Sequence, residues 1–278
     1  MHTTSAVAAA IWFPYDAEPA DAVITWSLET YGVLRELTAV AGSGVSMIEL
    51  RSFSRAGELM IPEWAIPLGA RPLAGAQIPP CFVSGYALEV PLTDTTLYLD
   101  YLAARFRSAG GKIQSETRFD HLEALPQTDA LVVNCTGIGA QTIVPDPGVE
   151  PHRGQVVIVP KLLQSHAVVC DDPPLMYAIP RAGDCVFGGT NERSANRESD
   201  PASSARIVAE CSRVLEIDPP EILRERVGLR PFRRAGICLR ADRLRDGRRV
   251  IHNYGHGGSG FTLSWGCAQA VLSLATAT

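Results

Sequence analysis

The sequence of 278 residues lacks an excess of positive charge, because 25 lysines and arginines face 30 aspartates and glutamates and the net charge is −5. Proteins that bind nucleic acid neutralise phosphates with a basic surface, so nucleic acid is not expected as a partner. The seven cysteines are widely spaced and include no C-x-x-C pair. This spacing predicts reduced thiols in a cytoplasmic protein, and it argues against a disulfide framework or a zinc site.

Long hydrophobic runs and several well-known catalytic signatures are also missing. The first apolar stretch ends at Pro14, short of the roughly 20 residues that span a membrane, and no basic signal region precedes it. We therefore expect no membrane partner. The absence of G-x-S-x-G, H-E-x-x-H and P-loop motifs excludes the serine hydrolases, zinc proteases and nucleotide hydrolases that carry them.

Helical and strand patterns alternate along the whole chain, without internal repeats or a flexible linker. Helices are predicted over 21–41, from Asp94 to the glycines at 110–111, and over 202–217. The continuous apolar run at 130–133 predicts a parallel strand covered on both faces. Short segments punctuated by proline and glycine predict an antiparallel sheet over 154–188. Further strands are predicted at 45–53, 86–90, 112–115, 226–231, 237–240 and 249–254. The fold class is therefore mixed α/β.

Two glycine-rich turns follow predicted strands. Residues 254–260 run from a strand into a helix, where a backbone without side chains can approach a planar or anionic ligand. From the glycines alone, a simple tight connection is an equally good interpretation. Residues 134–140 follow the buried strand at 130–133, and nucleotides bind at the carboxyl ends of strands in doubly wound sheets.

Two polar side chains on predicted strands are candidates for ligand binding. Arg230 ends a strand, where its planar guanidinium could hold a carboxylate, although the default interpretation of any single arginine, Arg233, Arg234 and Arg240 included, is a plain surface role. Tyr177 could be a core aromatic or a hydroxyl of the site. No metal site is expected, because the histidines at 252 and 256 have no acidic partner close in sequence.

In this order, the motifs resemble those of the D-amino-acid oxidase family, which includes D-aspartate oxidase. The resemblance extends from Thr3 to Leu274 and is carried by the segments 7–15, 133–137, 153–156, 177–180, 188–190, 228–231 and 250–260. The last of these, Val-Ile-His-Asn-Tyr-Gly-His-Gly-Gly-Ser-Gly, is the longest and most specific.

The resemblance implies one oxidase-like unit over residues 1–278 that holds FAD without a covalent bond. A Rossmann-like FAD-binding region (3–15, 112–140 and 249–275) would interleave with an antiparallel substrate region (mainly 42–111 and 150–248). The implied reaction is the oxidative deamination of a D-amino acid by FAD and dioxygen to a 2-oxo acid, ammonia and hydrogen peroxide.

The resemblance also assigns residues to the site. Arg230 would hold the substrate carboxylate with help from the Tyr177 hydroxyl, the backbone carbonyl of Gly258 would accept from the amino group, and Ser259 would border the pocket. The residues implied for FAD binding are Ala9, Ala10, Ile11, Thr136, Gly137, Gly257, Gly258, Gly260, Phe261 and Thr262.

The sequence departs from the family pattern at its beginning. The strand, G-x-G-x-x-G loop, helix and strand that open family members, roughly 40 residues in all, have no counterpart before Thr3. We therefore expect a truncated oxidase whose cofactor sheet exposes an edge beside 130–133 and whose FAD binding is weak; the alternative is an FAD-free pseudoenzyme or small-molecule binding module. Phe13 and Pro173 at expected pocket positions favour an apolar pocket. The oligomeric state stays open, with a homodimer as one alternative.

Overall fold

The computed structural model describes residues 3–14, 17–128 and 130–277. Within them the chain forms six α-helices and twelve strands arranged in two sheets, which confirms the mixed α/β class. The helices are α1 (Thr4–Val7), α2 (Ala20–Leu37), α3 (Thr95–Ser108), α4 (Ala140–Ile143), α5 (Pro201–Leu215) and α6 (Gly260–Thr276). The strands are β1 (Val45–Ser54), β2 (Arg71–Pro72), β3 (Ser84–Thr93), β4 (Leu131–Asn134), β5 (Val149–Pro160), β6 (His166–Cys170), β7 (Met176–Pro180), β8 (Asp184–Gly188), β9 (Glu192–Arg193), β10 (Arg224–Arg233), β11 (Cys238–Arg243) and β12 (Arg249–Tyr254).

The larger sheet has the strand order β10-β5-β8-β7-β6-β1-β3-β2, and β9 also pairs with β5. Its neighbours are antiparallel except β1 and β6, which run parallel. The antiparallel sheet predicted over 154–188 is therefore confirmed. Both faces of this sheet are buried: one packs on α2 and α3 through residues such as Leu50 and Val90, and the other packs on α5 through residues such as Phe187 and Cys211.

The smaller sheet has the order β11-β12-β4, with β4 parallel to β12. In the described part of the chain β4 has no partner on its other side, so the edge predicted beside 130–133 is confirmed. The expectation that this strand is covered on both faces is wrong, since Leu131 is 37 % exposed and Val133 is 43 % exposed. A run of four apolar residues indicates burial but does not say what packs on each face.

One further expectation about the smaller sheet needs correction, and the pairing of β11 bears on the predicted division into two regions. The predicted strand at 112–115 does not form, because this segment finds no strand to pair with in the described chain. β11 falls within the range expected for the substrate region, yet it pairs with β12 from Cys238↔Tyr254 to Arg243↔Arg249. Its pairing therefore joins it to the sheet that contains β4.

Two of the helices begin at an aspartate that caps them, and the first of these, Asp94, was expected from the sequence. The Asp94 carboxylate accepts a hydrogen bond from the Thr96 N–H at the start of α3, and Asp200 accepts from Ala202 and Ser203 at the start of α5. Helix α6 starts directly after the glycine-rich turn and crosses α2 closely, since a Cβ on Gly266 would overlap the Trp26 backbone. This close crossing sets the position of the α6 N-terminus.

Candidate active site

One cavity of about 890 Å³ lies where the two sheets meet. This volume is near the upper end of the range of about 300–1,000 Å³ typical of ligand pockets. Its wall includes Arg230, Tyr177, Gly258 and every residue implied for FAD binding, namely Ala9, Ala10, Ile11, Thr136, Gly137, Gly257, Gly260, Phe261 and Thr262. Residues far apart in sequence thus converge on one concave site.

The glycine-rich turn before α6 forms one side of this cavity. Gly255 and Gly257 have φ angles of +86° and +54°, which glycine adopts without a steric penalty. The Gly257 N–H donates to the Pro231 carbonyl at 2.9 Å, so the turn is tied to β10 next to Arg230. Burial lowers the pKa of His256 to about 4, and its Nε2 donates to Asn253 Oδ1 at 3.0 Å. The turn therefore presents a neutral imidazole at neutral pH.

The loop after β4 is held by a buried hydrogen-bonded chain. Asn134 Oδ1 accepts from the backbone N–H of Thr136 at 3.2 Å and from its hydroxyl at 2.8 Å. The Asn134 amide then donates to His252 Nδ1 at 3.1 Å, which leaves the His252 proton on Nε2. Burial lowers the pKa of His252, so this ring also stays neutral. These hydrogen bonds fix Thr136 and Gly137 at the carboxyl ends of two parallel strands.

The N-terminal segment closes another side. Ile11 forms a bridge with Leu92 of β3, and the Phe13 N–H donates to Thr262 Oγ1 at 3.1 Å. The same hydroxyl donates to the Phe13 carbonyl at 3.0 Å. Trp12 is buried beneath this segment, and its indole nitrogen donates to the Ser27 carbonyl at 2.9 Å. The segment is thus bound to both β3 and the start of α6.

Arg230 and Tyr177 lie together on the cavity face of the larger sheet. The Arg230 Nη1 donates to the Thr190 carbonyl at 2.9 Å and to Asn191 Oδ1 at 3.4 Å. Burial raises the pKa of Tyr177, an effect that the neighbouring Arg230 guanidinium only partly offsets. The Tyr177 phenol is therefore protonated at neutral pH and can donate a hydrogen bond to an anion held by Arg230.

The structure separates the arginines that the sequence left equivalent. Arg230 lines the cavity, whereas Arg233 pairs with Asp146 at 2.9 Å and Arg240 pairs with Asp242 at 3.5 Å. Arg234 is exposed and does not line the cavity. The side chain of Arg230 faces the cavity because of its position in β10. The sequence alone does not reveal this orientation, because it does not give the register of the strand.

One implied site residue lies elsewhere. Ser259 is 1 % exposed and does not belong to the cavity wall. It is the N-cap residue of α6, and its N–H donates to the His256 carbonyl, so this residue is enclosed in the turn. The expectation that Ser259 borders the pocket is therefore wrong. Phe13 does line the cavity, while Pro173 does not.

Further polar residues of the cavity wall were not predicted from the sequence. Asn191 follows β8 by three residues and contacts Arg230, while Asp171 and Arg197 line the cavity from loops. The triplet Gly-Gly-Thr at 188–190 was the available signal for Asn191, which directly follows it. Asp171 and Arg197 lie in irregular segments whose course periodicity does not predict.

The chain matches the family described as FAD dependent oxidoreductase over residues 1–274. It belongs to this family, whose cofactor is FAD. It is 40 % identical over 284 residues to a D-amino-acid oxidase of Rubrobacter xylanophilus, covering 99 % of this chain and 85 % of that protein. It is 39 % identical to a D-amino-acid oxidase of Streptomyces coelicolor, again covering 99 % of this chain and 86 % of the relative. It is 32 % identical to human D-aspartate oxidase, covering 98 % and 83 % of the two chains.

A solved structure agrees on the fold. The crystal structure of glycine oxidase from Geobacillus kaustophilus superposes with a TM-score of 0.79 at 16 % identity and covers 98 % of this chain and 84 % of that one. At this identity the likeness concerns the fold alone. The family match and the relatives named D-amino-acid oxidase support the resemblance identified from the sequence motifs and do not favour the FAD-free alternative.

The cavity fits a flavin dinucleotide by its own chemistry. The first N–H groups of α6 have no acceptors within the helix, so they can donate to a polar ligand. A Cβ on Gly260 would meet nothing within 4 Å, which leaves open space at this helix end. Ala9, Ala10, Ile11 and Phe261 supply apolar wall for a planar ring. In the described residues no group of His, Cys, Asp and Glu could hold a metal ion, and no helix is long and apolar enough to cross a bilayer.

Proposed function

We propose that this chain catalyses the FAD-dependent oxidative deamination of D-amino acids to 2-oxo acids, ammonia and hydrogen peroxide. The observation that carries the proposal is that Arg230 and a protonated Tyr177 lie together on the cavity wall, beside the glycine-rich turn that the Pro231 carbonyl holds. The identity of 39–40 % to the two bacterial proteins named D-amino-acid oxidase supports the same reaction. The proposed co-substrate is dioxygen.

Each wall residue has a defined part in this proposal. Arg230 and Tyr177 bind the α-carboxylate, because a carboxylate removed from water needs a cation and hydrogen-bond donors. The Gly258 carbonyl accepts from the amino group, and the two contacts together orient the α-hydrogen. FAD, when bound, supplies the electron acceptor for that hydrogen. Ala9, Ala10 and Ile11, with the start of α6 and the loop at Thr136 and Gly137, hold the cofactor.

The proposed cofactor-binding and substrate-binding regions correspond to the two sheets. We assign the cofactor to a region formed by 3–15, 112–140 and 249–275 together with β11, and the substrate to 42–111 and most of 150–248. Supporting this division, β11 pairs with β12, whereas Tyr177 and Arg230 lie on the larger sheet. All seven cysteines are unpaired, which supports a cytoplasmic location.

The reaction is tested by anaerobic titration of the FAD-loaded protein with D-alanine and L-alanine, following the loss of visible flavin absorbance. We expect bleaching by the D-isomer only. Arg230→Ala should weaken D-alanine binding roughly 30-fold to several thousandfold, because truncating one member of a desolvated charge pair costs about 2–5 kcal/mol.

The matched control is Arg234→Ala, which removes an exposed guanidinium from the residue that directly follows β10. It should bind D-alanine like the wild type. Arg233 is unsuitable as a control because it pairs with Asp146. An Arg230→Ala variant with wild-type affinity would remove Arg230 from the carboxylate site, and bleaching by L-alanine alone would overturn the proposed substrate class.

A further inference from the structure

Glycines on two adjacent strands lie directly beneath the side chains of Arg230 and Tyr177. Gly154 is on β5, diagonally across from Arg230, whose strand partner is His152. Gly188 is on β8, directly opposite Tyr177. Glycine inside a strand weakens the strand, and it often marks a place where another group approaches the backbone closely.

At these positions the approaching groups are the side chains of the site. A Cβ added to Gly154 would lie 2.5 Å from Arg230 Nη1 and 2.6 Å from both Cζ and Nη2. A Cβ on Gly188 would overlap the Tyr177 ring at Cζ, and one on Gly189 would lie 2.7 Å from the Tyr177 hydroxyl. Contacts this short do not occur, so any side chain here displaces the group above it. The two strands therefore form a flat floor for the guanidinium and the phenol.

We propose that Gly154 is a positioning residue that sets the direction of the Arg230 guanidinium toward the substrate carboxylate. This inference rests on the proposed function. The backbone of Gly154 lies beneath the guanidinium and limits how far it can approach β5. The Thr190 carbonyl accepts a hydrogen bond from Arg230 Nη1 at 2.9 Å and holds it from the side. A methyl group at 154 forces a movement of about 1 Å to reach an ordinary contact of about 3.5 Å. A displacement of this size is enough to lose an aligned hydrogen bond.

The Gly154→Ala variant should fold, because the group it displaces is the flexible end of a side chain and not backbone. It should still bind FAD. Its affinity for propanoate, which has the carboxylate of alanine without the amino group, should fall between about tenfold and a hundredfold. Binding is measured on the FAD-loaded protein from the change in the visible flavin spectrum, independently of turnover.

The matched control is Gly183→Ala in the turn between β7 and β8, where a Cβ would meet nothing within 4 Å. It should bind propanoate like the wild type. A second test uses the Arg230→Lys background, in which a single ammonium on a flexible chain can move aside from the new methyl group. There, Gly154→Ala should change propanoate affinity less than about threefold.

The outcomes separate this inference from the proposed function. Wild-type propanoate affinity in Gly154→Ala, or an equal loss in the wild-type and the Arg230→Lys backgrounds, would overturn the positioning role. If the wild type binds propanoate but D-alanine does not bleach its flavin, the proposed oxidation fails while the comparison of Gly154 variants still decides the positioning role.

Discussion

The carboxylate of Asp146 hydrogen-bonds to three groups of the protein, so its removal should lower the stability of the fold. Its Oδ2 accepts from Arg233 Nε at 2.9 Å and from the Tyr254 hydroxyl at 2.8 Å, while Oδ1 accepts from the Gly148 N–H at 2.8 Å. Burial alone would raise the pKa of Asp146, but the hydrogen bonds from these groups outweigh it and the pKa is lowered. The carboxylate thus connects β10 to the end of β12, just before the glycine-rich turn.

Asp146→Ala should lower the free energy of unfolding by about 3 kcal/mol at pH 7. A hydrogen bond to a charged group contributes about 1.5–3 kcal/mol and a neutral one about 1 kcal/mol, and bonds that share one carboxylate do not add fully. The side chains of Arg233 and Asp146 are only 21 % and 14 % exposed, so solvent screens their pair little. Urea unfolding of both proteins at pH 7 measures the difference.

The same stabilisation should depend on pH with a definite sign. Because the folded pKa of Asp146 is lowered, its contribution is complete above the unfolded value of about 3.9 and is lost as the pH falls through the folded pKa. The difference between wild type and Asp146→Ala should therefore be constant from pH 7 to pH 5 and shrink below about pH 4.

The control for this prediction is Asp242→Ala. Asp242 pairs with Arg240 at 3.5 Å, with side chains 48 % and 67 % exposed. Such a surface pair should contribute less than about 1 kcal/mol. A loss below about 1 kcal/mol for Asp146→Ala, or a loss that stays the same at pH 3, would refute the reasoning.

Two further predictions concern the core and the sheet edge. Trp12→Ala should cost about 3–5 kcal/mol in urea unfolding, because the indole is 1 % exposed and packs edge-on against Tyr31 and Trp64; a loss under about 1 kcal/mol would contradict this packing. Val133→Lys on the open edge of β4 should reduce self-association in light scattering with little change in unfolding free energy, since a charge blocks pairing between edges. Unchanged scattering would show that this edge does not drive association.

Helices and central strands could be predicted from local chemistry. Asp94 caps α3 as its position in the sequence indicates, and proline and glycine divide the strands of the larger sheet. The two-residue strand β9 was not predicted, because it contains too few residues to show a periodic pattern. The irregular segment at 112–115 was mistaken for a strand, because local sequence preference does not show whether a neighbouring strand is available for pairing.

The candidate site was only partly predictable for a related reason. The glycine-rich turn could be found because its motif is local, whereas Arg230 was singled out from the neighbouring arginines only by the family resemblance. All ten residues implied for FAD binding lie on one cavity. Ser259 was misplaced because one turn of backbone decides whether a residue faces a cavity or the protein interior. The role of Gly154 could not be found at all from sequence, since it depends on a side chain that reaches over it from another strand.

The contacts that close the cavity join positions that are very distant along the chain. Thr4 and Leu229 are separated by 225 positions, and Phe13 and Thr262 by 249. Closing loops of this length carries a large entropic cost and slows folding. At a synthesis rate of about 5–20 residues per second, the segment around Phe13 waits roughly 10–50 s for its partner on α6. During synthesis its apolar side chains are therefore available to chaperones. Because α6 is made last, a cofactor that contacts both segments can assist folding only in the final stage.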